Sequence, residues 1–196
     1  MNEYHCLPVY SLPFDAKLAQ QQVDAHQRIT LESPALSIMT DLRHVPAAII
    51  SAGATLQEAN TQMMMRGVKL LFVESAKEDL VGLITYKDLM GEKPILFSRQ
   101  SGQQRRDIRV RDIMTPRARL EVMMLNDVRH ARVGQVVNTL AKAGRQHALV
   151  LDPDDGTICG IFSATEISRR LGIEIQASGI ALTFAEMEAQ LSQLAN

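Results

Sequence analysis

Cysteine is scarce: only Cys6 and Cys159 occur among 196 residues. Two thiols so far apart in sequence supply neither a disulfide framework nor a metal knuckle, and they fit a reducing, cytoplasmic setting. Charge of one sign is also lacking. The formal net charge of −1 argues against a polyanion-binding surface spread over the whole molecule, so no nucleic-acid partner is expected. No stretch approaches the ~18 apolar residues of a membrane span. Residues 1–8 have neither a basic n-region nor an apolar h-region, so the expectation is a protein neither exported nor embedded in a membrane. There is no Gly-rich phosphate loop, no Ser-His-Asp order with motif support and no reactive-cysteine context. His5, His26, His44, His130 and His147 show no i, i+4 pair, and beyond single neighbours such as Cys6 beside His5 they gather no set of Cys or acids with metal-ligand spacing. Neither a metal site nor an enzyme is therefore expected.

What the chain does contain is an internal repeat. Gly82-Leu83-Ile84-Thr85-Tyr86-Lys87-Asp88-Leu89 returns 78 positions later as Gly160-Ile161-Phe162-Ser163-Ala164-Thr165-Glu166-Ile167. Ser37-Ile38-Met39-Thr40 returns as Asp112-Ile113-Met114-Thr115, and 67–73, opening on Gly67, returns as 144–150, opening on Gly144. Three landmarks in one order define two units, 37–91 and 110–172. They are flanked by an arm over 1–36, a linker over 92–109 and an extension over 173–196. A unit of ~60 residues buries only roughly 60% of its unfolded surface, so the two are expected to pack as one body with two equivalent ligand-sized sites.

Within the first unit, 46–51 is short and apolar and reads as a strand. Thr55-Leu56-Gln57-Glu58 has the capping-box pattern and starts a helix through Arg66, ended by Gly67. Strands follow at 70–74 and 80–85, then a short helix through Met90. The second unit repeats the plan with a strand over 120–125, a helix over 133–143 ended by Gly144, and strands at 147–152 and 157–162. Pro153-Asp154-Asp155-Gly156 marks the turn between that last pair. Each unit thus reads β-α-β-β-α, an α/β (α+β) class with two similar halves. Segment 92–109, polar with Pro94 and Gly102, reads as an exposed crossover linker. A short helix is expected near 17–26 in the arm. Thr183 opens a C-terminal helix with Phe184, Met187, Leu191 and Leu194 on one face. Met63-Met64-Met65 and Met123-Met124 read as flexible core fillers.

Thr85-x-x-Asp88, after a strand and before a helix, has two readings. One is a helix cap, with the hydroxyl at the N-cap and the acid at N3 reaching back. The other is a nucleotide site: unpaired helix N–H groups and a hydroxyl for a phosphate, and a carboxylate for a ribose diol. Ser163-x-x-Glu166 repeats the pattern and is the better capping box. Arg105, Arg106, Arg109, Arg111, Arg117 and Arg119 form a local cluster, either a solvated linker or a lining for ligand phosphates.

The order Ile-Met-Thr, capped helix, Gly-ended helix, strand pair and Gly-h-h-Thr/Ser-x-x-acid, twice in tandem, resembles the cystathionine-β-synthase (CBS) domain pair, or Bateman module. The resemblance covers about 37–172 and implies tandem repeats packed with pseudo-two-fold symmetry. It also implies a regulatory sensor binding AMP, ADP, ATP, S-adenosylmethionine or a related nucleotide between the repeats. Carried over, Thr85 touches phosphate and Asp88 the ribose, with the base near Arg119, Leu120, Arg145 and Gln146. The mirror site uses Ser163 and Glu166 with Val45, Pro46, Val68 and Lys69, and is the weaker, because glutamate replaces the usual aspartate. Leu71 and Ala148 also depart from the family pattern, standing in strands where many members carry proline. The resemblance implies a homodimer and a regulated protein partner it does not name. The alternative is a ligand-free dimerisation or scaffold protein in which both patterns are only helix caps and the arm and C-terminal helix do the binding.

Overall fold

The computed structural model describes residues 29–172; the helices expected near 17–26 and after Thr183 lie outside them. Helix α1 (Leu56–Arg66) shows how closely local chemistry sets the elements. Thr55 Oγ1 accepts the Glu58 N–H at 3.1 Å while the Glu58 carboxylate accepts the Thr55 N–H at 2.7 Å. At the other end Gly67 adopts φ 63°, a left-handed conformation that glycine reaches without strain. Its counterpart α6 (Val133–Ala143) ends in the same way at Gly144, φ 61°.

Among the described residues eight strands form two four-stranded sheets: β1 (Thr40–Asp41), β2 (Ile49–Ser51), β3 (Leu70–Glu74), β4 (Leu80–Thr85), β5 (Thr115–Pro116), β6 (Val122–Met124), β7 (His147–Asp152) and β8 (Thr157–Ser163). One sheet has the order β2-β3-β4-β5 and the other β6-β7-β8-β1. In each the first pair is parallel and the other two antiparallel. The ladders slip register at the same repeat position, after Val73 and after Val150. These matched sheets realise the expected pseudo-two-fold plan.

The two-residue strands cross between halves. β5, from the second repeat, pairs with β4, and β1, from the first, pairs with β8. The recurring glycines make room for this exchange. A Cβ on Gly82 would fall 2.5 Å from the Thr115 carbonyl oxygen, and one on Gly160 would strike the Met39 side chain. The two repeated motifs, Ile-Met-Thr and Gly-h-h-Thr/Ser, are therefore packing partners, each meeting the copy from the other half.

Side-chain alternation sorts three cores. Leu71, Val73 and Ile84 face α1, α2 (Tyr86–Met90) and α4 (Val110–Ile113), while Val150 and Phe162 face α6, α7 (Ala164–Leu171) and the 3-10 turn Ala35–Ile38. The intervening residues Leu70, Phe72 and Leu149 meet between the sheets. Both sheets are thus covered on two faces, which explains their nearly continuous apolar runs.

Several expectations are corrected. Segment 92–109 is not simply an exposed crossover: it holds α3 (Lys93–Ser101), with Pro94 in its first turn and Gly102 as its left-handed end. The two residues taken as breakers are start and stop signals, and Ile108 beyond them is fully buried. The strand expected over 120–125 shrinks to β6, because Leu125 opens α5 (Leu125–His130) and buries itself with Val128 one turn on. Met63 is a core filler beside Ala59, but Met64 and Met65 are 69% and 84% exposed and Met124 is also exposed. Three consecutive helical positions point in different directions, so one apolar face cannot hold them all.

Candidate functional site

The β4–α2 junction carries the first site. Asp88 is buried, and its Oδ2 accepts the Thr85 N–H at 2.8 Å and the Thr85 hydroxyl at 2.7 Å. The Thr85 oxygen in turn accepts the Asp88 N–H at 3.3 Å, closing a complete capping box. The other carboxylate oxygen, Oδ1, takes an ion pair from Lys93 Nζ at 2.6 Å. Lys93 also donates to the Ile113 carbonyl at 3.3 Å, tying α3 to the site and to the second repeat. A carboxylate oxygen can accept more than one hydrogen bond, so Oδ1 keeps capacity for a ligand hydroxyl. The Thr85 proton is committed to Asp88.

These groups open onto a cavity of about 280 Å³ between the sheets. Its wall brings together Thr85 and Asp88 from the first repeat with Arg119, Leu120, Arg145 and Gln146 from the second, the six residues singled out in the sequence. Lys87 and His147 join them. Arg145 is paired with Glu121 at 2.8 Å. Among the described residues Lys87 and Arg119 make no ion pair, which leaves two cations at the rim for an anionic group. Of the six-arginine cluster, only Arg119 reaches this cavity; Arg105 instead donates to the Leu89 carbonyl at 2.9 Å.

A second cavity, of about 310 Å³, joins Ser163 and Glu166 to Val45, Pro46, Val68 and Lys69. Here the cap differs from expectation. Ser163 Oγ accepts the Glu166 N–H at 3.5 Å, but no return bond from the Glu166 side chain is made, so Thr85–Asp88 is the better capping box. The longer glutamate turns away to its own helix. Arg169 Nε and Nη2 donate to it at 2.9 and 2.7 Å, and Arg170 Nε at 2.8 Å. The Arg169 hydrogen bonds, with help from Arg170, hold its carboxyl at about 2. A carboxylate so occupied has little left for a ribose.

His147 lines both cavities. Burial pushes its imidazole down to about 4, Lys69 pushes the same way, and Asp88 opposes them. Lys93 carried no sequence signal, since its pairing to Asp88 crosses the helix break at Gly91. Lys87 lies inside the repeated octapeptide, where position alone could have drawn it in.

Residues 35–94 match the model of the CBS domain. No curated protein matches the chain. Among solved structures, an uncharacterised conserved protein from Pyrococcus horikoshii aligns at TM-score 0.55 and 23% identity, over 76% of this chain and all of that one. A CBS-domain protein from Agrobacterium tumefaciens aligns at TM-score 0.53 and 14% identity, over 79% of this chain and 98% of that one. The CBS-pair protein CBSX2 from Arabidopsis thaliana, solved in complex with AMP, aligns at TM-score 0.49 and 20% identity, over 70% of this chain and 94% of that one. Residues 35–94 are thus similar to the CBS domain, and the described body has the fold of a CBS-domain pair. No helix among the described residues is long and apolar enough to cross a membrane.

Proposed function

We propose that the protein is a regulatory, non-catalytic module that binds an adenosyl ligand, of the AMP, ADP, ATP or S-adenosylmethionine class, in the cavity bounded by Thr85, Asp88, Arg119 and Arg145. One observation carries the reading: a buried carboxylate and a hydroxyl at a helix start face cations from the other repeat across a single cleft. That combination suits a ribose at one end and a phosphate or other anion at the other. A ligand held by both repeats favours one relative arrangement of them, and a partner protein reads the shift. The shift can be no larger than the ligand's differential affinity for the two arrangements. The proposal takes the protein to be cytoplasmic and a homodimer, and sedimentation at micromolar concentration returning a 21.7 kDa monomer would count against the dimer.

The closed Thr85–Asp88 cap favours a second reading, a ligand-free scaffold in which the pattern serves only α2. A thermal-shift screen with AMP, ADP, ATP and S-adenosylmethionine separates the two. A ligand at about 100 times its dissociation constant should add roughly 2.7 kcal/mol. No shift with any of them favours the scaffold.

A further inference from the structure

Leu70 and His147 occupy equivalent places in the two repeats, 77 positions apart, and both residues line both cavities. The two cavities therefore share one pair of residues that the pseudo-two-fold relates. One of the pair is inert. Leucine offers no hydrogen bond to either side. The other is a neutral imidazole near pH 7, flanked by Lys69 of the second cavity and by Asp88 of the first. Among the described residues nothing in the chain hydrogen-bonds its ring, so its polar atoms are uncommitted. A neutral imidazole has one N–H and one bare nitrogen, and the partner of one decides the state of the other.

We propose that His147 couples the two cavities, because its single N–H can be given to a ligand in only one of them at a time. This rests on the reading that an adenosyl ligand occupies the first cavity and extends it to the second, where Glu166 is taken up by Arg169 and Arg170 and a ligand is held without it. Purines present mainly acceptors around the ring, so each bound ligand draws on the same proton. The first ligand to bind takes it, and the second meets a bare nitrogen. The result is negative coupling between like ligands, roughly fivefold in affinity, on the scale of one ordinary hydrogen bond. The asymmetry of the pair is what creates the competition: a histidine at both positions would supply a proton for each cavity, and a leucine at both would supply none.

The test is a thermodynamic cycle on the full chain with AMP as the probe, read by isothermal titration. In Asp88→Ala the first site is disabled, so the binding that remains reports the second site with its neighbour empty. In the wild type the second binding step reports the same site with its neighbour filled. The second step should be about fivefold weaker than the binding in Asp88→Ala. In His147→Leu, which copies the residue at position 70, the same comparison should give a ratio near one. His147→Gln, whose amide carries two N–H groups, should also lose the coupling and serves as the check should the leucine variant fold poorly. A ratio of one in the wild type, a single AMP per chain, or a ratio that survives both substitutions overturns the coupling while leaving the first site standing. No AMP bound to the wild type at all overturns the coupling between AMP ligands, and the nucleotide reading falls with it only if ADP, ATP and S-adenosylmethionine also fail to bind.

Discussion

Replacing Gly82 with alanine tests the strand exchange that builds the site. The added Cβ would stand 2.5 Å from the Thr115 carbonyl oxygen, 3.0 Å from Met114 Sδ and 3.3 Å from Pro116 Cα. Two of those three atoms are backbone, so β5 itself has to move, and with it the Arg117–Arg119 turn that follows it. Overpacking of this kind costs about 1–3 kcal/mol. Losing a glycine from the unfolded chain returns about 0.4–1 kcal/mol. The net loss is about 1–2 kcal/mol, or roughly 3–6 °C in melting temperature for a chain of this size. Gly160→Ala is the matched control. Its three nearest atoms all belong to the Met39 side chain, which is flexible and can swing aside, so the cost stays below about 1 kcal/mol. Thermal and urea melts of the two variants, followed by circular dichroism, read the difference. Gly82→Ala as stable as the wild type, or Gly160→Ala the more damaging, would refute the claim that the repeated glycine exists to admit the crossing strand.

Three further outcomes are expected. The His147 imidazole sits at about 4 when folded against an ordinary 6.5. Its neutral form therefore contributes stability that is complete above pH 6.5 and is lost as pH falls towards 4, a loss on the order of 3 kcal/mol. Urea midpoints at pH 7 and 4 should fall less steeply in His147→Leu than in the wild type, and equal slopes would contradict the burial of the ring. The Glu166 carboxyl, held at about 2 against an ordinary 4.5, contributes above pH 4.5 and loses that contribution as pH falls towards 2. Because Arg169 is largely exposed, Glu166→Gln should lower stability at pH 7 by less than about 1 kcal/mol, and a carboxyl NMR titration in the wild type should place its midpoint well below 4. Thr55→Ala should remove the α1 cap at a cost of about 1 kcal/mol, with Thr55→Ser nearly neutral, as read by urea midpoints.

Elements whose ends are written in local chemistry were legible in the sequence. The Thr55 box and Gly67 bound α1, Gly144 ends α6, and β3 and β4 begin and end at the expected residues. The six residues expected at the first site through the repeat and the family resemblance line one cavity. The strand exchange was not legible, since two-residue strands have no periodicity, although the paired Met and Gly landmarks are its trace. α3 was hidden because Pro94 and Gly102 look like breakers unless one knows they sit at a helix's two ends. The asymmetry of the caps depends on which partner wins a carboxylate. Arg169 and Arg170 lie one turn beyond Glu166 and capture it, whereas Asp88 is too short to turn away and is held by Lys93 from another helix.

The central claim is that the inter-repeat cavity holds an adenosyl ligand by its ribose. A crystal structure of the chain grown with AMP tests this most directly. The account predicts the ribose hydroxyls within hydrogen-bond distance of Asp88 Oδ1 and the phosphate on the Arg119 side of the cleft. AMP bound elsewhere, or an empty cavity at saturating AMP with the Thr85–Asp88 cap unchanged, would contradict it.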